Sequence, residues 1–181
     1  DLDWDGRVSF VATDNEEGGR MGGEKLAELP AEVRERAIQV RTVTLGGGTW
    51  RDLDATDVVA ETADRAYDHA GIGPEHVQRA EVHDCNAWRE LAVYEALGFC
   101  GEGEGGAYVA SGATARDGAR PVNTSGGLIA KGHPLGATGI GMVDELVRQL
   151  RDSDDEIALA QNAGGMVGFD EALCGITVLA R

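Results

Sequence analysis

The sequence predicts an α/β fold in which helices cover a mixed β-sheet. Segments with the two-residue period of strands alternate along the chain with segments of helical period, and short glycine-rich turns join them. The sequence contains no internal repeat. At 181 residues the chain is long enough to bury one core of ordinary size.

The first 50 residues predict short elements. Residues 7–13 alternate apolar and polar side chains as a strand does, whereas residues 14–23 are polar and glycine-rich and predict a loop. Residues 24–29 and 31–38 have the spacing of short helices. Residues 40–45 then predict a strand that ends at a run of three glycines.

The middle of the chain predicts helix, strand and helix. Asp54 or Thr56 can cap a helix whose apolar side chains recur at i, i+3 and i+4 up to residue 70, and Gly71 suits the left-handed end of that helix. Residues 77–82 predict a strand, and residues 88–97 predict the next helix. This arrangement places the sequence HDCN, residues 83–86, at the carboxyl edge of the sheet.

The last third of the chain is organised around a glycine-rich segment, residues 123–141, with the sequence NTSGGLIAKGHPLGATGIG. So much glycine favours neither a helix nor a central strand, and indicates a loop that passes close to another group. Residues 99–121 predict a surface excursion before it, and residues 142–151 a helix after it. Residues 157–160 and 172–179 predict two final strands, with a glycine turn, QNAGG, at 161–165.

Composition excludes several classes of function. The net charge of −16 comes from 32 acidic and 16 basic residues, so the chain would repel nucleic acid. An acidic surface with only two lysines is typical of a high-salt cytoplasm, and an archaeal, halophilic source is expected. No apolar run approaches the roughly 20 residues that span a bilayer, so no membrane partner is expected.

The cysteines and polar turns supply candidate chemistry. Three cysteines without CxxC spacing predict neither a disulfide framework nor a metal site, and favour a reducing, cytoplasmic compartment. His133, between Gly132 and Pro134, is either a structural hydrogen-bonding residue or an active-site group near a positive helix end, which disfavours the imidazolium form. Cys85 is either a small buried side chain or an acid/base at a helix N-terminus.

The pattern of these turns resembles a known family. The sequences HDC at 83–85, PVNTSGGLIAKGHPLGATG at 121–139 and ALAQNAGG at 158–165 resemble the three C-terminal blocks of thiolases, especially the sterol-carrier-protein type and archaeal acetyl-CoA acetyltransferases. The resemblance implies the C-terminal half of the thiolase fold, βαβαβαββ. Residues 1–50 would then be the end of the N-terminal half and a connecting segment, and residues 51–181 the C-terminal domain.

The resemblance also implies roles for single residues. His133 would activate a nucleophilic cysteine and line an oxyanion hole, and His83 would help to hold the thioester oxygen through a water. Cys85 would move the substrate α-proton. A second set, the oxyanion-hole and substrate-binding residues, would be Gly132, Asn162, Gly164 and Gly165.

What the resemblance implies for the whole protein is an acyl-CoA acyltransferase that catalyses reversible Claisen condensation or thiolysis of 3-oxoacyl-CoA in lipid metabolism. Coenzyme A or acyl-CoA would be a substrate, with no permanently bound cofactor and no metal. The family nucleophile belongs to the first half, so this chain alone is expected to be inactive. Expected partners are an N-terminal thiolase half or second subunit, further copies in a dimer or tetramer, and a small zinc-ribbon/OB-fold protein.

Two departures from the family pattern keep an alternative open. Asn86 stands where an aromatic residue usually follows HDC, and Gln161 stands where the last block usually begins with histidine. Cys174 also cannot be assigned to the cysteine of the usual final block. The alternative is a non-catalytic thiolase-like subunit that binds acyl-CoA or acts as a scaffold for an acyltransferase complex; an unrelated α/β protein with a chance motif is a third reading.

Overall fold

A computed structural model describes residues 38–46, 57–167 and 170–181. In these residues the elements run in the order β1 (Gln39–Gly46), α1 (Asp57–Ala70), β2 (Arg79–Glu81), α2 (Ala87–Ala96), α3 (Gly105–Ala110), α4 (Gly127–Lys131), α5 (Thr138–Arg151), β3 (Ile157–Val167) and β4 (Asp170–Ala180). The elements predicted before residue 38 and the caps predicted at Asp54 and Thr56 lie outside the described residues.

The strands form one mixed sheet in the order β1-β4-β3-β2. β4 is antiparallel to both β1 and β3, whereas β2 is parallel to β3. Beyond β2, Val122 forms a single parallel bridge with Ala80. The strand that the βαβαβαββ pattern has at this place is therefore reduced to one bridge in the described part of the chain.

Helices cover the sheet on both faces, which confirms the predicted α/β class. Alternate side chains of a strand point to opposite faces. On one face, Leu159 of β3 and Ile176 of β4 are buried with α1 and α2; on the other, Ala158 and Leu179 are buried under α5. The α5 residues that reach the core are spaced by four, as a helical stripe requires: Met142, Leu146 and Leu150.

Several sequence predictions are confirmed at the level of single elements. The strand over residues 40–45, the helix that ends at Gly71 and the helix after HDCN are all present. Gly71 has φ of 67°, as its predicted place after a helix end requires. The domain boundary between residues 50 and 51 stays a prediction; β1, which precedes it, pairs with β4.

Two predictions are wrong in secondary structure. Residues 161–165 do not form a turn but continue β3, where Gly164 pairs with Leu173 of β4. The loop predicted over 123–141 contains the short helix α4. Glycine content misleads in both cases, because ladder partners and capping groups far along the chain compensate for its low intrinsic propensity. The surface excursion predicted at 99–121 is mostly exposed and includes the short helix α3.

Candidate active site

His83 lies at the carboxyl end of β2 and is nearly buried, with 6% of its surface exposed. Its backbone N–H donates to Oε1 of Gln161 at 3.0 Å, and its ring Nδ1 lies 3.1 Å from Oδ1 of Asn162. The backbone N–H of Ala163 points at the same ring nitrogen from 3.4 Å. These contacts exist because β2 pairs in parallel with the first part of β3, which places the loop after β2 beside residues 161–163 of β3.

Burial lowers the pKa of His83 below its ordinary value. The hydrogen bond to Asn162 opposes this effect, whereas the charges of His133 and Arg89 add to it. Since a buried imidazolium would lose its hydration, the neutral ring is favoured near pH 7. A neutral histidine can donate one hydrogen bond and accept another.

His133 is exposed on the loop between α4 and α5. Its Nδ1 lies 2.7 Å from the hydroxyl of Thr138, the first residue of α5, and that hydroxyl donates its single proton to the carbonyl oxygen of Pro134 at 3.1 Å. Both hydrogen bonds form together only when the hydroxyl accepts from His133; in that arrangement the neutral ring carries its proton on Nδ1 and leaves Nε2 as a proton acceptor.

The two imidazoles meet edge to face. Their ring centroids are 4.9 Å apart and their planes make an angle of 82°. His83 comes from the loop after β2 and His133 from the loop before α5, so two of the sequence blocks converge at one place. The third block contributes Asn162 through its contact with the His83 ring.

Cys85 is exposed just before α2. The neighbouring Asn86 caps that helix, because its side-chain oxygen accepts the backbone N–H of Arg89 at 2.8 Å. This bond fixes the orientation of the Asn86 amide, whose NH₂ group then donates to the Cys85 sulfur at 3.7 Å. The prediction that Cys85 stands at a helix N-terminus is confirmed, and the reading as a small buried side chain is wrong.

An open cleft of about 330 Å³ lies beside His133. The polar part of its lining comes from His133 and Asn162, and its backbone part from Gly164 and Gly165. Leu45, Leu135 and Leu173 provide apolar walls, each at least 48% exposed. Gly132, just before His133, has a φ of 87°, a backbone conformation that favours glycine. Space is not the reason for glycine here, because no atom lies within 4 Å of where a β-carbon would be.

Asp84, beside His83, is a residue with a structural role near the site that the sequence reasoning missed. Its carboxylate is 3% exposed and accepts the backbone N–H of Leu128 at 2.7 Å, at the start of α4. A β-carbon on Gly127 would lie 2.0 Å from the same carboxylate. Gly127 of the central block therefore serves close approach to Asp84, and the acidic residue inside the HDC block was the available signal.

The departures at Gln161 and Asn86 have local structural roles. Gln161 is fully buried, where its side chain accepts from the His83 backbone and donates to the Cys174 sulfur at 3.7 Å. Asn86 caps α2, as described above. Neither substitution removes a contact between the imidazoles, Asn162 and the cleft.

In the part of the chain that the structure describes, no helix is long and apolar enough to cross a membrane. Across residues 38–46, 57–167 and 170–181, no group of three or more His, Cys, Asp or Glu residues is arranged to hold a metal ion.

Comparison with known proteins places this geometry in a family context. Residues 45–175 match the family described as thiolase C-terminal domain-like. Sterol carrier protein 2 of Rattus norvegicus is 50% identical over 95 residues, which cover 52% of this chain and 17% of that protein. Acetyl-CoA acetyltransferase of Methanothermobacter thermautotrophicus is 37% identical over 154 residues, which cover 78% of this chain and 40% of that protein.

A third relative and one solved structure extend the comparison. The benzoylsuccinyl-CoA thiolase subunit BbsB of Thauera aromatica is 39% identical over 102 residues, 56% of this chain and 26% of that protein. The structure of the Ltp2-ChsH2(DUF35) aldolase superposes with a TM-score of 0.67 at 22% identity, over 79% of this chain and 39% of that one, which shows a shared fold. The chain thus spans less than half the length of each of these proteins.

Proposed function

The chain belongs to the thiolase family, and from this premise we propose that it is the C-terminal part of an acyl-CoA acyltransferase that makes or cleaves 3-oxoacyl-CoA. The observation that carries the proposal is the pair of imidazoles at the cleft. His133 presents Nε2 as a proton acceptor because Thr138 holds its Nδ1–H, and His83 lies edge to face against it.

The first step would transfer an acyl group to a cysteine supplied by the N-terminal thiolase half, on the same or a second chain. Nε2 of His133 takes the thiol proton, and the thiolate attacks the thioester carbonyl carbon. The carbonyl oxygen gains negative charge, which a water held by the neutral ring of His83 stabilises. The bond to the coenzyme A sulfur then breaks, and the proton on His133 passes to the departing thiolate.

The second step would form the carbon–carbon bond. The Cys85 thiolate removes the α-proton of a second acyl-CoA, and the resulting carbanion attacks the acyl carbon on the cysteine. The enzyme thiolate leaves, and thiolysis runs through the same steps in reverse. Gly164 and Gly165 line the cleft beside His133, which supports their role in the second oxyanion hole. Coenzyme A or acyl-CoA is a substrate in every step. The apolar walls of the cleft would contact the acyl chain of the acyl-CoA.

The test is an acyl-transfer assay on the chain combined with candidate N-terminal thiolase halves, with or without a small zinc-ribbon/OB-fold protein. We expect His133→Ala to abolish thiolysis of 3-oxoacyl-CoA in the active complex. The matched control is His76→Ala, which removes an exposed imidazole on the turn before β2 and should leave turnover unchanged. Near-normal turnover of the His133 variant would overturn the proposal.

The same assay separates the non-catalytic alternative. The residues at Asn86 and Gln161, which depart from the family pattern, motivate a binding or scaffolding role, and the relative named sterol carrier protein 2 supports a binding role. Acyl-CoA binding without turnover in any combination would favour that role. The oligomeric state of the complex, for which we propose a dimer or tetramer, is read by light scattering in the same preparations.

A further inference from the structure

A fully buried carboxylate lies outside the site described above. Glu81 is the last residue of β2 and has 0% of its surface exposed. A buried carboxylate loses its hydration, so it is stable only when donors surround it. The donors come from two residues of the central glycine-rich block, Ser125 and Lys131.

The three side chains form a closed triangle. The Ser125 hydroxyl donates to Oε2 of Glu81 at 2.5 Å, and its backbone N–H reaches Oε1 at 3.3 Å. The Lys131 ammonium donates to the same Oε2 at 3.1 Å and to the Ser125 hydroxyl at 2.8 Å. Because Lys131 carries its charge against a carboxylate and Ser125 gives its proton to that carboxylate, the triangle has no free base to activate the serine.

The triangle connects the two histidine-bearing segments at equivalent places. Glu81 is two residues before His83, and Lys131, the last residue of α4, is two residues before His133. Because the ion pair holds Glu81 and Lys131 at a fixed distance, it also fixes the starting positions of the short segments that lead to His83 and to His133. Asp84 holds the opposite end of α4 through the backbone N–H of Leu128, so α4 is bound at both ends to the short segment 81–84, which contains His83.

We propose that Glu81 and Lys131 are positioning residues that set the edge-to-face geometry of His83 and His133. The inference rests on the proposed function for its catalytic meaning, but not for its structural content. Catalytic groups must be held within about 0.5 Å of the productive arrangement, and side chains that touch no substrate commonly do this. Lys131 is one of two lysines in the chain, and here it neutralises a buried charge at the edge of the site.

The test is an NMR measurement on the isotope-labelled 181-residue chain, which needs no acyl transfer. The nuclear Overhauser effect between the His83 and His133 ring protons falls with the sixth power of their distance, so a displacement of about 0.5 Å weakens it roughly twofold. We expect this loss in Lys131→Met and in Glu81→Gln, and recovery in Lys131→Arg, which keeps the charge.

The control is Arg148→Met. Arg148 forms an exposed pair with Asp144 on α5, with the nitrogen and oxygen 2.6 Å apart, so its loss removes an ion pair without touching the site. Unchanged ring contacts in a folded Lys131→Met chain would overturn the proposal. A Lys131→Met chain that unfolds would also count against it, because the pair would then support the fold as a whole. If Glu81→Gln does not fold, the result for Lys131→Met decides the test, since the Lys131 side chain is 30% exposed whereas that of Glu81 is fully buried.

A second arm reads catalysis. In the complex with an N-terminal half, Lys131→Met should lower kcat by about 10–100-fold with KM little changed, and Lys131→Arg should restore most of it. An equal rise of KM at unchanged kcat would contradict a positioning role. If the complex shows no acyl transfer, the NMR measurement on the chain alone can still be interpreted. Failure of the proposed function can therefore be distinguished from failure of this inference.

Discussion

The carboxylate of Asp84 occupies the space that a β-carbon on Gly127 would need. The added atom would lie 2.0 Å from Oδ2, and Gly127 has φ of 61°, a conformation that side chains disfavour. We expect Gly127→Ala to lower the free energy of unfolding by about 2–4 kcal/mol, since overlap and backbone strain add. Urea denaturation measures the change.

A matched glycine provides the control for that variant. Gly141 lies in α5 with no atom within 4 Å of its would-be β-carbon. Gly141→Ala should therefore stabilise the chain by about 0.5–1 kcal/mol, the usual gain of alanine over glycine within a helix. Equal effects of the two substitutions would refute the close-approach account of Gly127.

Thr138→Val tests the tautomer of His133. The substitution keeps the volume of a side chain that is 5% exposed but removes the acceptor of the Nδ1–H bond. We expect the imidazole ¹⁵N shifts to show a mixture of tautomers and acyl transfer to fall by about 10-fold or more. Thr138→Ser keeps the hydroxyl and should behave like the parent; a single Nδ1–H tautomer in Thr138→Val would show that another group sets it.

The lowered pKa of His83 predicts a pH dependence of stability. Burial is its main cause, so the unfolded chain binds a proton at His83 at a higher pH than the native chain. The stability that the neutral ring contributes is complete above the unfolded value of about 6.5 and is lost as the pH falls through the lowered native pKa.

Urea titrations at a series of pH values from about 7.5 to 5 measure this loss. We expect His83→Asn to flatten the acid limb relative to the parent chain. The matched control is His76→Asn, which removes an imidazole that is 57% accessible. A parent slope retained in His83→Asn would assign the acid sensitivity to other groups.

Thiol accessibility predicts an order of alkylation. Cys85 is exposed, Cys100 is half-buried and Cys174 is buried. Burial, with the charges of Glu95 and Glu104, also raises the pKa of the Cys100 thiol, and iodoacetamide reacts with the thiolate. Mass spectrometry of the native chain should find Cys85 modified first and Cys174 only after unfolding; early labelling of Cys174 would contradict the placement of β4.

The sequence predicted elements whose signal is local. The helical stripe of α1 and the final strand follow from side-chain period, and the family blocks pointed to His83, Cys85 and His133. The predictions that were wrong concern residues whose structure depends on partners far away in the sequence. Gly164 is in a strand because Leu173 pairs with it, and α4 begins at a double glycine because Asp84 accepts its N–H group. The partners of Glu81 are likewise distant: a buried carboxylate requires donors, and Ser125 and Lys131 supply them from 44 and 50 residues along the chain.

The parallel pairing of β2 with β3 has a consequence for the order of folding. The contacts of His83 with Gln161 and Ala163 join positions 78 and 80 residues apart, so they close long loops at the site. Contacts of such long range form slowly, and the helices between them can form first. Ligand-binding competence should therefore appear in the last kinetic phase of refolding, after most of the helical signal has returned.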